Sequence, residues 1–256
     1  DRFEMHAAAS AALPFKIPVA HIHGGELTEG AIDDSFRHSI TKLSHIHFVA
    51  ASEYALRVRQ LGEEPWRVIV SGAPSIDNVR AVEILDPQPL GVSIGFPLDE
   101  PPLLVTYHPV TLESEHTRDQ FGELLAALEN LTKPIIFTMP NADTGGRVIQ
   151  GMIREFVQGN PNSWALASIG TQGYFSLMAY AAAMVGNSSS GVIEASSFRL
   201  PVVNIGTRQK GRIKPNNVID VGYDRVEIST GIEKAVGFSF RDTLKCLKNP
   251  YGSGNA

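Results

Sequence analysis

The chain has 256 residues, 43% apolar and 8% aromatic, which is enough for one large or two small cores. Its net charge of −5 comes from 27 acidic and 22 basic residues mixed along the sequence, and the absence of a Lys/Arg run argues against a nucleic-acid surface. No apolar stretch approaches the roughly 18 residues of a membrane span and no signal peptide is visible. The single cysteine, Cys246, excludes a disulfide framework or a Cys-based zinc site and points to a reducing, cytoplasmic compartment.

In chain order, DRFEMHAAASAAL reads as a loop running into a helix, in the interior of a longer protein. The pattern then predicts strands over 16–22, 47–50 and 67–70, with helices over 33–42, 52–60 and 76–79. Residues 86–102 carry prolines at 87, 89, 97, 101 and 102, a composition break that marks a linker between a first lobe, 1–85, and a second, 103–247. The second lobe has nearly continuous apolar strands over 103–108, 134–139, 164–168, 183–187 and 201–206. They alternate with helices near 114–130, 145–158, 173–181 and 191–198. RDTLKCLKN reads as a short amphipathic helix with Cys246 as a buried, inert thiol, and NPYGSGNA as a closing turn. Strands alternating with helices imply an α/β chain of parallel sheets covered by helices, in two Rossmann-like lobes.

Such sheets bind ligands at the carboxyl ends of their strands, and polar residues gather there: His108 in TYHPVT, Asn141 in MPNADTGG, Ser188-Ser189-Ser190 in GNSSSGVIEAS, and Arg208 in GTRQKGR. Small hydroxyl residues opening a helix expose amides that suit a phosphate, and Glu194, one turn on, is spaced to accept from ribose hydroxyls; simple helix capping is the alternative. Pro109 turns the chain outward after His108. Arg208 with Lys210 and Arg212 also reads as a solvated basic turn. In the first lobe Asp1, His21, His23, Glu26, Asp33, Asp34, Arg37 and His38 fall within 38 residues. Two imidazoles among carboxylates suggest metal, but His21 and His23 alternate on one strand face and Asp33 and Asp34 start a helix. Acid/base chemistry is therefore preferred, with helix capping as the alternative and no metal or cofactor expected.

HIHGGELTEGAIDDSFRHSITKLSHIHFVA, TYHPVT, MPNADTGG and GNSSSGVIEASSFRLPVVNIGTRQKGR, in this order and over almost the whole chain, resemble the hydrolysing UDP-N-acetylglucosamine 2-epimerases of sialic and legionaminic acid synthesis. The resemblance implies a GT-B-like fold whose N-terminal lobe is incomplete here, and a site in the cleft between lobes. It implies that Arg2, His108, Asn141, Ser188, Ser189, Ser190, Glu194 and Arg208 hold the UDP-sugar, with Glu194 on the ribose and Arg208 near the diphosphate. The family's catalytic carboxylates match Asp1 and Asp33. Where many relatives have Glu this chain has His23, so His23 or neighbouring Glu26 takes over that task. A homodimer is the implied assembly.

The C2 proton of an N-acetylhexosamine is not acidic, because no carbonyl adjoins that carbon. UDP therefore leaves first, giving an oxocarbenium-like C1, and loss of the C2 proton yields a glycal. Water adds to C1 as C2 is protonated from the opposite face, with Asp1, His23, Glu26 and Asp33 as candidates for the proton transfers. A non-hydrolysing epimerase, a GT-B glycosyltransferase and an inactive nucleotide-sugar-binding module are the competing readings.

Overall fold

A computed structural model describes residues 2–29, 31–129, 131–141 and 143–256. The first lobe runs α1 (Phe3–Ala12), β1 (Ala20–Ile22), α2 (Asp33–Leu43), β2 (Ile46–Val49), α3 (Ser52–Gln60), β3 (Val68–Val70) and α4 (Pro74–Ala81). After α5 (Pro87–Ile94) come β4 (Leu103–Thr106), α6 (Thr117–Leu128), β5 (Ile135–Thr138), α7 (Gly146–Gly159), β6 (Ser163–Leu166) and α8 (Gly170–Tyr180). The chain then forms β7 (Ala183–Gly186), α9 (Ser189–Ile193), β8 (Val202–Ile205), β9 (Val218–Val221), α10 (Arg225–Val236) and α11 (Phe238–Thr243).

Both sheets are wholly parallel, in the orders β1-β2-β3 and β6-β5-β4-β7-β8-β9. In the larger one, alternation along β4 sends Leu103 and Val105 into a layer with Phe121 and Leu124 of α6 and Ile149 and Ile153 of α7. Leu104 faces the other way, onto Leu90 of α5, Met178 of α8 and Met184. Burial of each such side chain stabilises the fold by roughly 1.5–3 kcal/mol, which is why these strands are apolar on both faces. The strand order reverses between β4 and β7, and splaying of the two following connections opens a crevice there.

A third core joins the lobes: Val49, Tyr54, Val58 and Val68 of the first pack with Val192 and Ile193 of α9 and with Tyr251. A closed ring of hydrogen bonds reinforces it. Ile213 N–H donates to the Tyr54 hydroxyl (3.0 Å), Tyr54 to the Tyr251 hydroxyl (2.9 Å), and Tyr251 to the Ile213 carbonyl (2.8 Å).

Several expectations are corrected. The proline-rich segment read as a linker contains α5, with Pro87 in the first turn where a missing N–H costs nothing. Its Leu90, Phe96 and Leu98 belong to the core of the second lobe. Cys246 is exposed, in the turn after α11, because the side chain buried there is Leu244. The closing turn crosses back to the first lobe, where Tyr251 is fully buried and its carbonyl accepts from Ala73 N–H at 2.8 Å. The strand β9 and helix α10 were not anticipated. Among the described residues no helix is long and apolar enough to cross a membrane.

Candidate functional site

A cavity of about 540 Å³ opens at the β4–β7 crevice and is lined by His108, Ser188, Ser190 and Glu194, together with Thr106, Thr138, Ser168 and Tyr174. Four residues expected at the site thus share one hollow, brought there by the ends of β4 and β7. Asn141, Ser189, Arg208 and Arg2 do not line it. Asp1 lies outside the described residues, and Arg2 is exposed and paired with Glu4 at 3.6 Å.

His108 is fixed from three sides. Its backbone N–H donates to Asn187 Oδ1 (2.7 Å), its carbonyl accepts from Asn187 Nδ2 (2.8 Å), and its ring Nδ1 accepts from Asn141 N–H (3.1 Å). Burial, aided by the nearby Arg208 charge, lowers the imidazole pKa to about 3. The ring is therefore neutral, and because Nδ1 accepts, Nε2 carries the proton and is the donor available to a ligand. Arg208 is half-buried and donates to the Asn187 carbonyl at 3.3 Å. Its pKa is lowered by burial and by Arg212, while Asp143 and Asp33 pull it the other way.

Ser188 caps α9, its hydroxyl accepting from Ser190 N–H at 3.3 Å, so the capping alternative holds for that side chain. Glu194 stands between α9 and the single 3-10 turn that follows. One of its carboxyl oxygens is enclosed without a hydrogen-bond partner among the described residues. Burial raises its pKa, against weaker lowering first by the Ser75 hydroxyl and then by the charges of Arg212 and His23. An enclosed carboxylate with acceptor capacity left over suits a hydroxyl-bearing ligand. Tyr174, raised above the usual phenol range by burial, adjoins the hydroxyls of Ser190, Thr106 and Ser188.

On the facing side, β1 ends at Ile22 and His23 adopts φ 63°, a conformation uncommon for a non-glycine residue, which turns it out of the strand. His21 and His23 therefore do not continue along one strand face. Gly25, at φ +78°, lies so close to the Tyr54 carbonyl that a Cβ would sit 2.4 Å from it. This tight path brings Glu26 back beneath His23: the ring Nδ1 lies 2.7 Å from Glu26 Oε1 and Arg212 Nη2 lies 3.2 Å from Oε2. Glu26 is almost wholly buried. Burial alone would raise its pKa, but the His23 hydrogen bond and the charges of Arg212, His23 and Arg37 hold it below the usual range. An ionised Glu26 makes His23 Nδ1 the donor. Asp33 and Asp34 open α2; Asp34 caps the preceding turn by accepting from Thr28 N–H at 2.7 Å, whereas Asp33 is half-buried and within electrostatic reach of Arg37 and Arg208.

Two residues visible in the sequence were given no site role of their own. Arg212 is no solvated turn residue: its side chain is only 10% exposed, and Lys210 alone fits that description, paired with Glu29 at 2.8 Å. Asn187 is fully buried, and a polar residue closing the apolar run AMVG was the available signal.

The family model described as UDP-N-acetylglucosamine 2-epimerase matches residues 1–256. The chain is 44% identical over 222 residues to a GDP/UDP-N,N'-diacetylbacillosamine 2-epimerase (hydrolyzing) of Campylobacter jejuni, covering 86% of this chain and 58% of that protein. It is 38% identical over 254 residues to a UDP-N,N'-diacetylbacillosamine 2-epimerase (hydrolyzing) of Legionella pneumophila, covering 99% and 66%. It thus spans about three fifths to two thirds of these relatives' length. The crystal structure of UDP-GlcNAc 2-epimerase from Neisseria meningitidis bound to UDP-GlcNAc superposes with a TM-score of 0.82 at 20% identity, over 98% of this chain and 70% of that one, which establishes the GT-B-like fold. By the full-length match of the family model and the identity to these relatives, the chain belongs to the UDP-N-acetylglucosamine 2-epimerase family.

Proposed function

We propose that the protein is a cytoplasmic, homodimeric hydrolysing 2-epimerase. It converts UDP-N-acetylglucosamine, or a 2,4-diacetamido-trideoxy analogue, to the free manno-configured sugar and UDP. The observation that carries this reading is a shared hollow: the neutral His108, the hydroxyls of Ser188 and Ser190 and the enclosed Glu194 line one cavity, and Arg212, on the loop that also carries Arg208, reaches the His23–Glu26 pair at 3.2 Å from Glu26. The names of the Campylobacter and Legionella relatives favour hydrolysis over a non-hydrolysing epimerase.

In this reading Glu194 accepts from the ribose, while His108 Nε2–H, the serines and Arg208 hold the diphosphate. The C1–O bond breaks with its electron pair leaving on UDP, favoured by Arg208. Asp33 faces the positive charge developing at C1. His23, its Nδ1–H held by Glu26, takes the C2 proton at Nε2 and the glycal forms. Water adds its oxygen to C1 and gives its proton to Asp33, while Asp1, the other catalytic carboxylate implied by the resemblance, gives its proton to C2 from the opposite face. Asp1, Asn141 and Arg2 complete the proposed set.

Incubating the full-length protein with UDP-N-acetylglucosamine, and separately with the diacetamido analogue, in D₂O tests this. Deuterium at C2 of a released manno sugar, with stoichiometric free UDP, is expected. UDP-sugar epimerised without release of UDP would establish the non-hydrolysing reaction instead.

A further inference from the structure

Behind the loop that carries Arg208 lies a carboxylate for which neither the fold nor the proposed chemistry gives a role. Glu113 sits in the irregular turn after β4, five residues beyond His108, where its φ/ψ of −129°/29° breaks the helical path. Its side chain accepts three hydrogen bonds: from the Thr207 hydroxyl at 2.6 Å on Oε1, and on Oε2 from the Tyr223 hydroxyl at 2.8 Å and Gln120 Nε2 at 2.6 Å. Thr207 directly precedes Arg208. Tyr223 in turn receives Thr207 N–H at 3.2 Å, and its ring fills the space where a Cβ on Gly206 would fall, 2.2 Å from the nearest ring atom.

Glu113 therefore fastens the loop after β4, which carries His108, to the loop after β8, which holds Arg208 and Arg212. A cation on a loop serves an anion only when its backbone is held; an unheld guanidinium loses much of its affinity to ordering entropy.

We propose that Glu113 is a positioning residue for the diphosphate site, setting the place of Arg208 through Thr207 and Tyr223; this rests on the nucleotide-sugar reading above. Glu113→Gln keeps the volume but has only one acceptor oxygen for three donors. Thr207→Val removes the hydroxyl at constant shape, and Thr207→Ser restores it.

The test is UDP binding by calorimetry on the full-length protein, with thermal unfolding recorded alongside. Glu113→Gln and Thr207→Val are expected to weaken UDP about tenfold, the size of one lost charge-assisted hydrogen bond. Thr207→Ser should remain within about threefold. In an Arg208→Met background Glu113→Gln should add less than about twofold, since the residue it positions is gone. A role in folding alone would shift the unfolding midpoint but leave affinity, and its dependence on Arg208, untouched. If Glu113→Gln does not fold, the Thr207 pair reads the same effect. Wild-type protein that binds UDP, with Glu113→Gln and Thr207→Val binding equally well, overturns this inference alone, as does a loss fully additive with Arg208→Met. Wild-type protein that does not bind UDP overturns the nucleotide reading on which it stands.

Discussion

The Asn187 side chain closes two hydrogen bonds on one residue, accepting from His108 N–H at 2.7 Å and donating to the His108 carbonyl at 2.8 Å. It does so across the β4–β7 switch point, and its own carbonyl also receives Arg208 and the Gln209 amide. Asn187→Ala would orphan two buried backbone groups, at about 1–3 kcal/mol for each left unsatisfied. Urea unfolding should show a loss of about 2–4 kcal/mol, and UDP should bind at least tenfold more weakly. Asn187→Asp, nearly isosteric, should fare no better, because a carboxylate cannot donate to the His108 carbonyl. An Asp variant of wild-type affinity would show that the clamp is dispensable.

Close backbone approach at the same crevice gives a second prediction. Gly186 has φ +136°, and a Cβ there would lie 2.0 Å from the Thr106 carbonyl oxygen. Neither backbone can yield without parting β4 from β7, so Gly186→Ala should destabilise by about 3 kcal/mol or more and abolish UDP binding. Gly170→Ala is the control: also at positive φ, but with open space around it, it should lose only about 1 kcal/mol of stability.

How much of this was readable beforehand follows from burial. The strands of the second lobe were legible because helices cover both faces and force continuous apolar runs such as LLVT and AMVG. VIDV of β9 is an edge strand and only partly buried, so it lacked that signature. The helix α5 was hidden by its own prolines, which sit in the first turn where they are tolerated. Strand-end polar residues marked the cavity, but the partnership of Glu26 with Arg212 was invisible because it joins loops from opposite lobes. The positive φ of His23 is set by tertiary contacts, and no local pattern announces it.

Buried imidazoles predict how stability responds to acid. His21, through burial and then His47, and His108, through burial and then Arg208, are each lowered to about 3; His47 and His38 are lowered chiefly by burial. The unfolded chain binds these protons near pH 6.5 while the folded chain refuses them. Stability is thus full above about pH 6.5 and falls as pH drops toward 3. Glu26, depressed, acts in the same direction at lower pH; Glu194, raised, opposes as a single group. Unfolding at pH 5.5 should take up about two protons, roughly 2.7 kcal/mol per pH unit. His21→Gln should remove about one of them. A flat profile between pH 6.5 and 4.5 would refute the assignment.

Asp33 opens α2 without accepting the turn hydrogen bond that Asp34 takes, and lies within electrostatic reach of Arg208. Asp33→Asn should therefore abolish product formation while leaving UDP affinity within a few-fold. Quenched-flow detection of free sugar checks it, and wild-type turnover in the variant would remove Asp33 from the chemistry.

The His23–Glu26 pair separates structure from proton transfer. Glu26→Gln takes away the carboxylate that Arg212 approaches at 3.2 Å in a nearly closed space. An uncompensated buried cation costs about 3–5 kcal/mol, so this variant should lose stability, UDP affinity and turnover together. His23 is a third exposed, and His23→Gln leaves the Glu26–Arg212 contact in place. It should unfold within about 1 kcal/mol of wild type, bind UDP within a few-fold, and lose roughly 10²–10⁴ in turnover, the usual contribution of a positioned acid/base. Because the glycal is reprotonated from solvent, the little product formed in D₂O should still carry deuterium at C2, and the lost turnover should show an enlarged isotope effect with substrate deuterated at C2. A slowed variant with no greater isotope effect than wild type would leave His23 with a binding role only.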